Sequence, residues 1–160
     1  MSITRGELIR TGLGGAIVLG VAGCASRNPD DERVMLGAIA GCVLAGAATG
    51  SSLGPLDIQR AVDGIYTAVA GLPSAVQGEV RQLFAILRIP LTRFFLAGVK
   101  PQWSAASVAD VSAFLTRWRT SDALLFRSGY QALHQLVLAG WYGDDRAWQA
   151  TGYPGPPKSY

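Results

Sequence analysis

From Leu56 onward the apolar residues recur with a helical period, and Gly or Pro interrupts that period wherever one helix would have to give way to the next. Ile58, Val62, Ile65, Val69 and Leu72 form one stripe, with Gln59, Arg60 and Asp63 off it, and Gly71 and Pro73 end it. Val76, Val80, Leu83 and Leu87 form a second stripe, facing away from Gln77, Glu79 and Arg81, until Pro90 breaks the pattern. Leu91 to Ala97 is a shorter apolar piece, closed by a turn at Gly98, Lys100 and Pro101. Ser107 followed by Asp110 reads as a capping box that opens a third helix, with Val108, Val111, Leu115 and Trp118 on its apolar face. Thr120 or Ser121 is placed to cap a fourth helix that runs to about Trp141. No alternating run of Val, Ile and Thr bounded by turn signals is present. The expected fold is all-α: a small bundle of four or five helices within residues 56–160, ending in an irregular tail of Pro, Gly and aromatic residues.

The first 55 residues follow different rules. Residues 1–24, MSITRGELIRTGLGGAIVLGVAGC, have a basic start with Arg5 and Arg10, an uncharged run from Thr11 to Gly23 and a small-residue processing site, the three parts of an export signal over 1–23. Thr4, Arg5, Leu8, Ile9 and Arg10 fit the twin-arginine export motif, but Gly6 stands where the second Arg belongs. Both the twin-arginine route and the general secretion channel stay open. Val21-Ala22-Gly23-Cys24 looks like a lipobox, which would make Cys24 the acylated first residue of a mature, membrane-associated periplasmic lipoprotein; an ordinary signal with a chance Cys is the other reading. Cys42 is the second and last cysteine, so a lipidated Cys24 leaves no partner for an internal disulfide.

Residues 24–55 divide into an acidic linker, Asp30-Asp31-Glu32-Arg33, and a Gly/Ala-rich apolar segment. No charge occurs from Val34 to Leu56, a stretch long enough to cross a bilayer, and Gly37, Gly41 and Ala45 give it a small-residue face. A crossing there would return the domain to the cytoplasm and undo export. The favoured reading is a helix lying against its own domain, a partner or the lipid surface, with a membrane span and a flexible linker as alternatives.

Tyr130 to Pro157 holds two of the four Trp, three of the five Tyr and the only His. Tyr130, His134, Val137 and Trp141 fall along one side of a helix, Gly140 and Gly143 end it, and Asp144, Asp145, Arg146 and Trp148 form one more short turn. Gly152, Tyr153, Pro154, Gly155, Pro156 and Pro157 then make an extended, stiff tail. Large aromatics on such a tail suit a contact surface, since Tyr and Trp give much area for little rotamer entropy. Trp141, Tyr142, Trp148, Tyr153, Pro154 and His134 are the candidate partner-binding residues, with Arg117, Arg119 and Arg127 as rim contacts. The strings AGWYGDDRAWQATGYPGPP and FLTRWRTSDALLFRSGYQALHQL resemble the small subunit of membrane-bound, FAD-dependent sugar and alcohol dehydrogenases of the sorbitol, fructose and gluconate 2-dehydrogenase type, most clearly over Leu115 to Pro157. The resemblance implies a subunit with no flavin or haem of its own. Its partner would be a large FAD-dependent flavoprotein of the glucose-methanol-choline class, with a cytochrome subunit as an optional third component, and its signal would lead the pair across the inner membrane.

Other chemistries find little support in the residues. One His and two distant Cys lack the spacing of a zinc set, and neither a C-x-x-C-H haem motif nor a Gly-rich dinucleotide fingerprint is present. His134 beside Leu133 and Leu136 reads first as a structural residue, and Asp144-Asp145 as a solvated turn. The formal net charge is only +3, with Arg and Lys scattered rather than massed, which speaks against nucleic acid as a partner. The expectation is a non-catalytic accessory subunit; a structural lipoprotein with an unrelated partner is the competing class. Cys24→Ser is expected to abolish metabolic labelling with a fatty acid, and label that survives the substitution would refute the lipobox.

Overall fold

Proline supplies the first residue of three helices, where its missing N–H costs nothing and its fixed φ suits the turn. The computed structural model describes residues 29–45 and 53–151 together with Pro154. Helix α1 spans Pro29–Leu44, α2 Pro55–Ala70 and α3 Ser74–Arg88. A single turn, α4 (Pro90–Thr92), runs into a π-helical turn at Arg93–Ala97, and a 3-10 turn follows at Trp103–Ala105. Helices α5 (Val108–Arg119), α6 (Leu124–Tyr142) and the short α7 (Asp145–Thr151) complete the order. No strand occurs among the described residues, so the fold is all-α.

Local chemistry sets most of the boundaries. Asp57 Oδ2 accepts from the Gly54 N–H at 3.0 Å at the start of α2. At α5 the expected capping box is present: Ser107 Oγ accepts from the Asp110 N–H at 3.2 Å, and Asp110 Oδ2 accepts from the Ser107 N–H at 3.0 Å. The Ser107 hydroxyl, which donates to Asp110 Oδ2 at 2.6 Å, and then the Ser107 N–H hold the Asp110 carboxyl below its ordinary range. Helix α6 differs from expectation. It starts at Leu124 behind Ala123, because the Ser121 hydroxyl is spent on the Ala123 N–H in the preceding bend at 3.2 Å.

The core contains Ile65, Phe84, Leu87, Phe114 and Leu133, each 2% exposed or less. The α2 stripe is buried as read, at Val62, Ile65 and Val69. Two other stripes are rotated. On α3 the buried line is Val80, Phe84 and Leu87 while Val76 is exposed; on α5 it is Val111, Phe114, Leu115 and Trp118 while Val108 is exposed. Helices α2 and α6 cross where Gly64 meets Gly140. A Cβ on Gly140 would lie 2.6 Å from the Ala61 carbonyl oxygen and the Ile65 nitrogen, and one on Gly64 would lie 2.7 Å from the Gly140 carbonyl carbon. These backbones touch with no side chain between them.

Helix α1 packs into the same core as the helices that follow residue 56. Met35, Leu36, Ile39, Ala40 and Leu44 are buried in the same core as α2 and α5, and Gly37 and Gly41 face Ile58 of α2. A helix that is apolar on nearly every side is a buried helix. At 16 residues α1 is about 24 Å long, and no helix of the described residues is long and apolar enough to cross a membrane. The acidic stretch read as linker forms its first turn instead. Glu32 accepts from the Tyr66 hydroxyl at 3.0 Å and from Arg88 Nη1 at 3.1 Å, while Arg33 pairs with Asp63 at 2.7 Å. Burial, followed by the Glu32 carboxylate, pushes the Tyr66 phenol up to about 12, so it stays a donor at neutral pH.

Gly64→Ala and Gly140→Ala are each expected to lower stability by roughly 1 to 3 kcal/mol, since overpacking a closed crossing forces the backbones apart. Gly78→Ala on α3, where an added methyl meets nothing within 4 Å, should instead raise stability by up to about 1 kcal/mol. Thermal melts of the three variants check the opposite signs.

Candidate functional site

The end of α6 and the turn into α7 bring three of the candidate aromatics into one corner. Gly143 donates to the Ala139 carbonyl at 3.0 Å, and Asp144 N–H to the Trp141 carbonyl at 3.3 Å, which ends α6. Asp144 then opens α7: its Oδ1 accepts from the Arg146 N–H at 3.0 Å, the ordinary work of an N-terminal cap. Ala147 is buried against the bundle. Trp148 is half-buried and donates its indole N–H to the Tyr142 carbonyl at 2.7 Å, which ties α7 back onto the end of α6.

Trp141 is half-buried against the core, and Tyr142 beside it is 40% exposed. Trp141 also lines a shallow groove with Asp57 and Arg60 of α2 and Asp144 and Arg146 at α7. A second depression shares Arg60 and Asp144 and runs over Gly64, Thr67 and Ala139, along the seam that the glycine crossing leaves open. The groove is electrically balanced: Arg60 pairs with Asp57 at 3.2 Å, and the Asp144 carboxyl is lowered first by the Arg146 N–H, with Arg146 and Arg60 adding to the effect. Its offer is apolar area with fixed charges of both signs at the rim.

The other candidates fall elsewhere. His134 is half-buried and stacks against Tyr130, ring centroids 5.5 Å apart, two turns of helix before Trp141. Pro154 is exposed, whereas Tyr153, the lipidation candidate Cys24 and the export residues Thr4, Arg5, Leu8, Ile9 and Arg10 lie outside the described residues. Two of the three expected rim arginines are engaged within the chain: Arg117 donates to the Ala97 carbonyl, and Arg127 to the Ser121 and Asp122 carbonyls at 2.6 and 2.9 Å. Arg119 is exposed. The contribution of Arg60 and Asp57 was not legible in the sequence, because only the α2–α6 crossing brings them beside Trp141. Among the described residues no group of three His, Cys, Asp or Glu side chains is placed to hold a metal ion.

No protein-family model matches the chain, and neither the curated proteins nor the solved structures yielded a match.

The Asp144 cap carries a pH dependence of known sign. A carboxyl lowered by folding contributes stability that is complete above its unfolded value, near pH 4, and disappears as pH falls through the lower folded value. Asp144→Asn is therefore expected to flatten the acid limb of the melting curve below about pH 4 relative to the parent. Melting temperatures measured across that range would contradict the assignment if the two limbs were parallel.

Proposed function

We propose that this chain is a non-catalytic accessory subunit that binds, stabilises and helps export a large FAD-dependent sugar or alcohol dehydrogenase of the glucose-methanol-choline class, at the periplasmic face of the membrane. Cys24 would anchor it there, and the flavin would belong to the partner. The observation that carries the reading is the α6–α7 corner. It falls within the stretch Leu115 to Pro157 on which the family resemblance rests, and it presents Trp141, Tyr142 and Trp148 beside a charged rim on a rigid, hydrogen-bonded base. Rigid aromatics lose little entropy on binding, which is why they dominate the energetic centres of interfaces.

Copurification of the flavoprotein with the exported chain tests the reading directly. Trp148→Ala is expected to weaken that association by about 2 kcal/mol or more, roughly thirtyfold, while the helical melt moves little. Trp141→Ala should do more harm to folding, on the order of 2 to 3 kcal/mol, somewhat less than a fully buried Trp would cost. If Trp148→Ala unfolds the domain and binding per folded molecule stays normal, the corner is structural and the partner surface is elsewhere.

A further inference from the structure

An exposed apolar surface that the proposed function does not use lies away from the corner. The π-helical turn buries Ala97 and turns outward Phe94, Phe95 and Leu96, with Leu91 exposed one turn earlier. Phe95 is 71% exposed and meets Phe94 edge-to-face with ring centroids 5.0 Å apart. Leu124 and Leu125, at 70% and 78%, open α6 nearby: Trp118 joins the two segments, donating its indole N–H to the Leu96 carbonyl at 3.0 Å and packing its ring on Phe126 at 5.4 Å. Exposed apolar residues massed in this way mark an interaction site.

Charge and tether indicate what covers it. Arg93 lies on the turn itself, Arg117 is bonded to the Ala97 carbonyl, Arg119 ends the same helix, and Arg127 belongs to the first turn of α6. Asp122 is the acid among them, and no Asp or Glu occurs between Glu79 and Asp110. The Glu32–Arg88 ion pair holds the start of α1 beside the end of α3, two residues before the Pro90 turn. Cys24 is five residues before Pro29, a tether of at most about 18 Å. The start of α1, to which the tether would lead, and the apolar turn thus lie at one end of the bundle. We infer that Leu91, Phe94, Phe95 and Leu96, with Leu124 and Leu125, form a knob that docks into an anionic bilayer surface, their side chains entering the acyl boundary and the surrounding arginines meeting lipid phosphates. An anchor at Cys24 alone fixes no orientation of the bundle, and a second apolar and basic contact supplies one.

The inference rests on the membrane-face placement proposed above, so the test removes the acyl chain and the partner. The full chain carrying Cys24→Ser and Cys42→Ser receives an environment-sensitive fluorophore at Phe95→Cys or, as control, at Glu79→Cys on α3, with circular dichroism confirming the helical fold. Vesicles of equal parts phosphatidylglycerol and phosphatidylcholine are expected to blue-shift the probe at 95 and brighten it several-fold, leave the probe at 79 as in water, and lose the effect in pure phosphatidylcholine or at high salt, which screens the arginines. No change at 95, or equal change at both positions, overturns the docking knob while leaving the flavoprotein reading untouched. A probe at 95 already shielded before vesicles are added, and more so at higher protein concentration, assigns the surface to a second copy. Shielding only by the flavoprotein assigns it to the subunit interface, and either result refutes the lipid assignment.

Discussion

The contact of Gly64 with Gly140 is the constraint on which the rest of the bundle depends. Glycine in a helix interior costs roughly 0.5 to 1 kcal/mol relative to alanine, and here one stands on each of the two helices that pack together most extensively. The return is proximity. With no side chain at the crossing, α2 and α6 approach until backbone meets backbone, and Val62, Ile65 and Val69 on one side can close against Leu133, Leu136 and Val137 on the other at the density of a protein interior. The same approach sets Arg60 beside Asp144, so the groove next to Trp141 is a by-product of the crossing.

A run of aromatic rings holds the irregular stretch between α3 and α5. Trp103, Phe114, Trp118 and Phe126 follow one another with ring centroids 6.0, 4.9 and 5.4 Å apart. The two indoles also do hydrogen-bonding work. Trp103 Nε1 donates to the Leu87 carbonyl at 2.9 Å, one of the four that the end of α3 leaves without a helical partner, and Trp118 serves Leu96 in the same way. Gly98, at φ 62°, lets the chain turn back where a side chain would be strained, and Ala97 and Val99 fill the inner positions on either side of it. With those places taken, Phe94 and Phe95 have nowhere to go but outward. The apolar knob is therefore a consequence of how the turn is held.

The described aromatics divide into two groups by position rather than by type. Trp103, Phe114 and Trp118 are buried and support the core, while Tyr142, Phe94 and Phe95 reach solvent. The front of the chain shows the same dependence on neighbours. An acidic run that reads as solvated linker becomes the place where α1 is pinned to α2 and α3, because Tyr66 and Arg88 converge on Glu32 from two other helices.

The sequence by itself determined that the chain is all-helical and where most helices stop, because helical period, proline at a first turn and the Ser107–Asp110 box are local effects that need no distant partner. It also determined the order of the α6 and α7 turns around Gly143, Asp144 and Asp145, and gathered the aromatics at the C-terminal end. Only the tertiary structure decided which residue of each stripe lies deepest. Phe84 and Phe114 replace Val76 and Val108 at the buried centre because the neighbouring helices, not the period, select the face. It decided as well that α1 belongs to the core, since an apolar helix reads alike whether lipid, partner or its own domain covers it, and Ile58 facing Gly37 and Gly41 is knowledge that only packing holds. The groove beside Trp141 was out of reach for the same reason: Asp57 and Arg60 stand more than 80 residues from it in the chain, and only a helix crossing without side chains brings them together.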